Sequence, residues 1–412
     1  MGNHMRFGRG QRTRFLRESA SDYHRNGLIR LLEISIDYLD DVAKECFLDL
    51  ALFPEDIKIC ADSLLDIWVY VRKLKWHDAL SILSDLASRN LLNLTSTPRR
   101  KVSISNGKDS ELYFSQHSVV RELALHLGSR DGVVHRKRFL MDGKEHSLPG
   151  KWELLNYNAC NVQVFSIHTG PMEANHWFEI NLPETEALLL FFTSTEYSLP
   201  PFLKSMNNLK FLMVLNYGTK RATIKGLDVI SSLTQLKCVR LERLTAPLVQ
   251  KQRKELSNLE KLSLSLCEGF QYASTFTITK LRDFNIDHSS NLEEVPISFC
   301  YMPSVKMWSI SNCHLVQKLP YELGNMNSLR MLRLSALPGL KELPPSIGKL
   351  RLLECLDISF CEGIRELPEE IGQLKRLSEF DMRECSRLNR LPRAVCELSA
   401  LKLVICDEKI GK

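Results

Sequence analysis

From Leu281 onward the apolar residues fall into one phrase, L-x-x-L-x-L, at constant spacing. The copies read Leu281-x-x-Phe284-x-Ile286, Val305-x-x-Trp308-x-Ile310, Leu329-x-x-Leu332-x-Leu334, Leu353-x-x-Leu356-x-Ile358 and Leu377-x-x-Phe380-x-Met382. A partial copy begins at Leu401, and each start lies 24 residues after the last. The alternation that closes each phrase predicts a short strand with every second side chain turned into a core. A second phrase travels with it: Leu319-Pro320-x-x-Leu323, Leu343-Pro344-x-x-Ile347-Gly348-x-Leu350, Leu367-Pro368-x-x-Ile371-Gly372-x-Leu374 and Leu391-Pro392-x-x-Val395-x-x-Leu398. Its proline presets φ and gives up a donor, so it predicts a turn. Upstream the period loosens, with copies starting at Val162, Ala187, Leu209, Leu236 and Leu259, eleven in all. A single such unit cannot bury its apolar face, whereas stacked units share a continuous core. The last copy stops at Lys412, which predicts an under-capped end.

The pattern between residues 28 and 140 is different. Leu28, Leu31, Leu32 and Ile36 have helical spacing, and Val42 to Leu50 continues as helix until Phe53-Pro54-Glu55-Asp56 breaks it. Asp62 can cap a helix bearing Leu64, Leu65, Ile67 and Trp68. Ala79, Leu80, Leu83, Leu86 and Ala87 form another stripe. Leu91 to Thr95 and Leu112 to Phe114 read as strands around a basic loop, Pro98-Arg99-Arg100-Lys101. Val119 to Leu127 reads as a last helix, stopped by Gly128. Helices followed by a two-stranded wing predict a winged helix. The fold class expected is therefore α/β, a winged-helix module followed by a leucine-rich-repeat solenoid. The expected divisions are a basic arm at 1–27, the winged helix at 28–150 and the repeats at 151–412.

Charge refines this picture. The formal net charge is +6. Residues 1–30 hold seven arginines (Arg6, Arg9, Arg12, Arg14, Arg17, Arg25 and Arg30) against Glu18 and Asp22, so 7 − 2 = +5 lies there. The remainder is nearly neutral, which argues against general polyanion binding. Val119 to Leu127 carries Arg121 and His126 beside Glu122, a poor match to a DNA-reading helix. No apolar run approaches the ~18–20 residues of a membrane span, and no signal-peptide core is seen near the start. Twelve cysteines without such a signal imply reduced thiols and a cytoplasmic or nuclear setting. Cys313, Cys361 and Cys385 follow their strands where a small polar side chain can bond backbone between coils, so they read as structural. No Cys-x-x-Cys, H-E-x-x-H or G-x-S-x-G occurs, so neither a metal site nor catalysis is expected.

The strand residues that do not face inward make the candidate binding surface. They are Lys306, Met307, Arg330, Arg333, Glu354, Asp357, Glu379, Asp381 and Arg383. Mixed charge of this kind suits a protein partner.

Further residues carry a resemblance. Lys44-Glu45-Cys46-Phe47-Leu48-Asp49-Leu50, Phe53-Pro54-Glu55-Asp56, Ile67-Trp68, Asn90-Leu91-Leu92 and Gln116-His117-Ser118-Val119-Val120-Arg121-Glu122-Leu123-Ala124 stand before the repeats, followed by Arg136-Lys137-Arg138 and Ser166-Ile167-His168-Thr169-Gly170. Together with the repeats they resemble plant nucleotide-binding leucine-rich-repeat immune receptors over roughly residues 28–412. Within these the chain is most similar to the helper subgroup with a powdery-mildew-resistance-type coiled coil, N-requirement-gene lineage, as a truncated paralogue. Complete helpers also have a phosphate loop, and no G-x-x-x-x-G-K-[ST] occurs here. The resemblance assigns His117 the nucleotide-sensing position. With the phosphate loop missing, a structural histidine at a helix start is the preferred reading, and no cofactor is expected.

What the resemblance implies is a non-catalytic role in immune, cell-death signalling. The repeats of helpers engage lipase-like heterodimers of the enhanced-disease-susceptibility type with a senescence-associated or phytoalexin-deficient partner. A chain holding the repeats without the switch is expected to compete with full-length helpers as a negative regulator. A positive adaptor and a nucleotide-dependent switch are the alternatives. Neither nucleic acid binding, stable membrane insertion nor self-driven oligomerisation is expected.

Overall fold

The computed structural model describes residues 33–34, 36–55, 57–96, 112–130, 136–143, 161–246, 254–269 and 276–407, the side chains of 254, 255, 276 and 277 excepted. The basic arm, Leu28, Leu31, Leu32 and the loop from Pro98 to Lys101 lie outside these residues. The chain divides into two units, Met1–Arg138 and Phe139–Lys412.

In the first unit, helix α1 (Asp41–Leu50) starts where the Asp40 carboxylate accepts from the Ala43 amide at 2.7 Å, satisfying one orphan donor of the first turn. Its inward face carries Ala43, Cys46, Phe47, Asp49 and Leu50. Strand β1 (Ile59–Cys60) leads into α2 (Ala61–Tyr70), which buries Leu64, Leu65, Ile67 and Trp68. Cys60 occupies the N-cap of α2 without a side-chain capping hydrogen bond, and Asp62 lies inside the first turn rather than at the cap. There it still complements the positive helix end. Helix α3 (Trp76–Ser88) buries Ala79, Leu83 and Leu86. Strands β2 (Asn93–Ser96) and β3 (Leu112–Ser115) pair antiparallel, and β1 joins the other edge of β3. Helix α4 (Ser118–Gly128) runs through Gly128, and Ser129 is its C-cap.

Among the described residues the second unit is built on one twelve-stranded sheet. Its first strands are β4 (Arg138–Asp142), β5 (Val164–Thr169) and β6 (Ala187–Phe192). A short strand β7 (Glu196–Ser198) precedes β8 (Phe211–Asn216), and β9 (Ala222–Lys225) precedes β10 (Cys238–Glu242). Then come β11 (Leu244–Thr245), β12 (Lys254–Glu255), β13 (Lys261–Ser265), β14 (Phe276–Thr277) and β15 (Asp283–Asp287). The remaining strands are β16 (Met307–Ser311), β17 (Met331–Ser335), β18 (Cys355–Asp357), β19 (Glu379–Asp381) and β20 (Leu403–Ile405). The large sheet runs β4-β5-β6-β8-β10-β13-β15-β16-β17-β18-β19-β20, and β5 to β20 pair in parallel. Strands β7, β9 and β11 make a separate parallel sheet in the early coils. In the later coils the Leu-Pro segments lead into single 3-10 turns such as Tyr321–Asn325 and Pro345–Lys349. This is a leucine-rich-repeat solenoid.

Two register results differ from the sequence reading. The strand β6 starts at Ala187, and Ala187 pairs with Val164 and Phe211. The first position of that copy is therefore Thr185, not Ala187. Thr185 fills a leucine site, fully buried, because its hydroxyl donates to the Val162 carbonyl at 2.9 Å. Strand β4 adds a twelfth strand ahead of the eleven expected.

The turn after each strand has its own rule. Leu266, His288, Asn312, Ala336, Phe360 and Glu384 all have φ between 52° and 60°. This left-handed conformation costs non-glycine residues energy. It is held because the amide bonds ahead to the next coil: His288 to Ser311 O at 3.0 Å, Asn312 to Ser335 O at 3.0 Å, Ala336 to Ser359 O at 2.8 Å and Phe360 to Arg383 O at 2.7 Å. The next residue in several coils is a ladder cysteine. Cys361 Sγ donates to Leu334 O at 2.8 Å and Cys385 Sγ to Ile358 O at 3.1 Å, both in the preceding coil, while Cys313 Sγ bonds Ser311 O at 3.2 Å. Burial raises the Cys313 and Cys385 thiols to about 12 and pushes Cys361 up further. The glycines of the Ile-Gly-x-Leu phrase are spacers between coils. A Cβ on Gly324, Gly348 or Gly372 would come 2.5 to 2.7 Å from a carbonyl oxygen of the following coil.

Candidate protein-binding face

Strand alternation sends Leu332 and Leu334 into the core and leaves Met331, Arg333 and Ser335 on the opposite face. Every coil repeats this, so side chains at one position form a row across the sheet. The nine candidate residues fall into different rows. Lys306, Arg330 and Glu354 each stand one residue before a strand and form a rim row. Met307 and Glu379 open their strands. Arg333, Asp357 and Asp381 form the central row. Arg383 follows β19.

The central row is largely neutralised from within. Arg333 Nε donates to Asp357 Oδ2 at 2.9 Å across adjacent coils, with Arg333 9% and Asp357 4% exposed. Asp357 Oδ1 also accepts from the Ser359 amide at 2.9 Å and its hydroxyl at 2.6 Å. Arg383 Nε lies 2.9 and 3.0 Å from the two oxygens of Asp381, which is 1% exposed. These pairs order the face, and removing one partner would leave a buried charge. The rim row is open: Arg330 and Glu354 pair at 2.6 Å with both side chains substantially exposed, and Lys306 is exposed. Towards the early coils the central row changes to Ser309, Asn285 and Ser263, then Arg240, Met213 and Leu189.

At the far end of the strands, Asp287 accepts from His288 Nδ1 at 2.7 Å and from Asn312 Nδ2 at 2.8 Å. Burial raises the nearby Glu242 carboxyl above its ordinary range. Sequence reading did not single out this cluster; its signal was two polar residues, His288 and Asn312, at the left-handed turn position of successive coils. Among the described residues no group of three or more His, Cys, Asp or Glu could hold a metal ion, and no helix is long and apolar enough to cross a membrane.

The motifs of the first unit converge on a buried ion cluster. Asp49 is fully buried, yet Arg72 reaches it through Nη2 at 2.7 Å and Nε at 3.1 Å, and Arg138 through Nε at 2.6 Å. Arg138 also donates to the Glu45 carbonyl at 2.7 Å and its carboxylate at 2.6 Å. Burial alone would push the Asp49 carboxyl up; Arg138 and Arg72 outweigh it and hold the group below the usual carboxylate range. Being depressed, this group stabilises the fold above the ordinary aspartate value, and the contribution is lost as pH falls through the depressed one. Gln116 Nε2 donates to Leu50 O at 2.7 Å, and Arg121 Nε to Phe53 O at 2.9 Å, closing the carbonyl end of α1. His117 is exposed at the N-cap of α4, where Nδ1 accepts from the Val119 amide at 3.3 Å. In the second unit Ser166 and His168 are buried in β5, 3.2 Å apart.

No protein-family model matches the chain. Curated relatives do. Over 296 residues it is 41% identical to "Probable disease resistance protein At4g33300" of Arabidopsis thaliana, covering 70% of this chain and 36% of that protein. Disease resistance protein ADR1 of the same plant is 37% identical over 316 residues, 75% of this chain and 40% of that protein. "Probable disease resistance protein At5g66890", also from Arabidopsis thaliana, is 35% identical over 289 residues, 68% of each. The chain spans 36 to 47% of the length of the first three curated relatives it matches. Among solved structures, the leucine-rich repeat domain of the type III effector XopL has a TM-score of 0.46 at 20% identity, covering 56% of this chain and 78% of that one.

Proposed function

Because the chain belongs to the family of plant disease resistance proteins, we propose that it is a non-catalytic regulator of plant immune signalling that binds other proteins through the open face of its repeat sheet. The observation that carries this is the unbroken order of the sheet. Parallel coils in constant register present rows of side chains over a long surface, which is how solenoids bind extended partners. We place the chain in the helper subgroup, and the likeness to ADR1 supports that placement. We read the first unit as a winged helix, from its helices and its antiparallel strands in the order β1-β3-β2.

The partner we propose is a lipase-like immune heterodimer of the enhanced-disease-susceptibility type with a senescence-associated or phytoalexin-deficient protein. Relatives align with 68 to 75% of this chain, and two proteins that present the same face compete for one partner. In this reading the chain engages the heterodimer without signalling and lowers helper-dependent cell death.

Size-exclusion co-elution with each purified heterodimer tests the partner. Met331→Glu, on the open face of β17, is expected to abolish co-elution while leaving the circular dichroism spectrum unchanged. Excess wild-type chain is expected to displace a full-length helper from the heterodimer. Absence of co-elution with every heterodimer sinks the shared-partner proposal, and stronger cell death on overexpression sinks the negative sign.

A further inference from the structure

We propose that the rim at the start of β15 to β18 is a docking strip for an acidic α-helical segment of a partner protein. This deepens the protein-binding reading of the solenoid and rests on it. The strip is built by backbone register. The Arg282 amide donates to Glu260 O at 2.7 Å, Lys306 to Arg282 O at 2.9 Å, Arg330 to Lys306 O at 2.8 Å and Glu354 to Arg330 O at 2.7 Å. Five residues of consecutive coils are thereby fixed side by side, about 4.8 Å apart. In sign they read minus, plus, plus, plus, minus; beyond Glu260 the row goes on to Lys237, whose Nζ lies 3.3 Å from the Glu260 carboxylate.

Neighbouring like charges in a sheet are unfavourable, and the usual relief is an opposite charge directly across. Here relief comes only at the two ends. Arg330 pairs with Glu354 at 2.6 Å, and Arg282 approaches Glu260 at 3.7 Å. Lys306 lies between two cations, is exposed, and has no side-chain hydrogen bond or ion pair among the described residues. Arg351, in the turn leading into β18, is likewise exposed and without such a partner. A row held together while its centre lacks a counter-charge is completed by anionic groups from outside.

Spacing and sign choose among anionic partners. Three carboxylates on successive turns of an α-helix repeat at about 5.4 Å, close to the row. Same-face side chains of an extended strand repeat at about 6.6 Å and drift out of phase. A nucleic acid strand or an anionic membrane presents charge that continues past the row. It would meet Glu260 at one end and Glu354 at the other. A helix with three carboxylates flanked by a cation on either side matches all five positions.

The probe is a labelled alanine-rich helical peptide of that pattern, with a control peptide in which every sign is reversed. Fluorescence anisotropy with the full chain is expected to show salt-sensitive binding of the first and not the second. The triple variant Arg282→Glu, Lys306→Glu, Arg330→Glu is expected to bind the first peptide about ten-fold more weakly, from three exposed pairs. Carbodiimide cross-linking is expected to join the peptide to Lys306, with circular dichroism confirming that the variant folds. Equal binding by variant and wild type, or cross-links confined to residues 1–30, overturns the proposal. So does a row-dependent affinity for single-stranded DNA or phosphatidylserine vesicles that matches the affinity for the peptide. No lipase-like protein enters this assay. Failure here therefore leaves the heterodimer proposal standing, and peptide binding without co-elution leaves the strip standing with another partner.

Discussion

The early and late coils of this solenoid solve the same stacking problem in different ways. In β5, β6 and β8 every residue is buried, on both faces. The positions that would be open are occupied by Ala187, Leu189 and Phe191 in β6 and by Phe211, Met213 and Leu215 in β8. In β16 and β17 the core face is equally dry, but the opposite face carries Met307, Ser309, Met331 and Arg333. In β6 and β8 both faces are therefore apolar, whereas β5 buries Ser166 and His168 on its second face, and these coils have irregular repeat lengths. Late coils have one apolar side, and they add a constant period, spacer glycines and the buried Arg333–Asp357 pair between coils, whereas the early-coil pair of Lys210 with Glu186 lies at the rim.

Equivalent positions sharpen this contrast most. Met213 and Ser309 occupy the same row. Leu189→Asp, next to Met213 in that row, buries a charge between Ser166 and Met213 with no cation opposite and is expected to cost on the order of 4 kcal/mol or more, whereas Ser309→Asp, beside Arg333, stays within about 1 kcal/mol. Chemical denaturation of both variants checks this, and equal losses would erase the distinction. Next in size is the late-coil pair: Asp357→Ala strands a nearly buried Arg333 and is expected to cost about 3 kcal/mol. Glu354→Gln, removing the exposed partner of Arg330, changes stability by about 0.5 kcal/mol or less. Gly348→Ala forces Cβ against the Glu370 carbonyl, and about 1–3 kcal/mol is expected from the overpacking.

How much of this was legible follows from the same contrast. In the late coils each position meets the same environment every 24 residues, so strands, turns and cysteine ladder could be read directly. The pairing of Arg333 with Asp357 was also available, since opposite charges 24 residues apart must be cross-coil neighbours. In the early coils a threonine stands for a leucine at 185, and its satisfying carbonyl at Val162 is visible only in three dimensions. Strand β4 has no regular second copy nearby to reveal it. In the first unit, nothing in the spacing of Asp49, Arg72 and Arg138 announces that they meet.

A further prediction concerns thiols. Burial holds Cys267, Cys300, Cys313 and Cys385 near 12, well above their ordinary value of 9.0. Above pH 9 the unfolded chain loses these protons while the folded chain keeps them, so stability falls as pH rises from about 9 towards 12. At pH 8 the exposed Cys396 is expected to alkylate while the four buried thiols are spared, as mass mapping would show.

The central claim is that the late-coil sheet is a protein-binding face. Hydrogen–deuterium exchange of the full chain, alone and with a lipase-like heterodimer in excess, tests it most directly. The account predicts slowed exchange in the amides of β15 to β18 and in the turns that enter them. Unchanged exchange across these strands, with the heterodimer bound elsewhere or not at all, would contradict it.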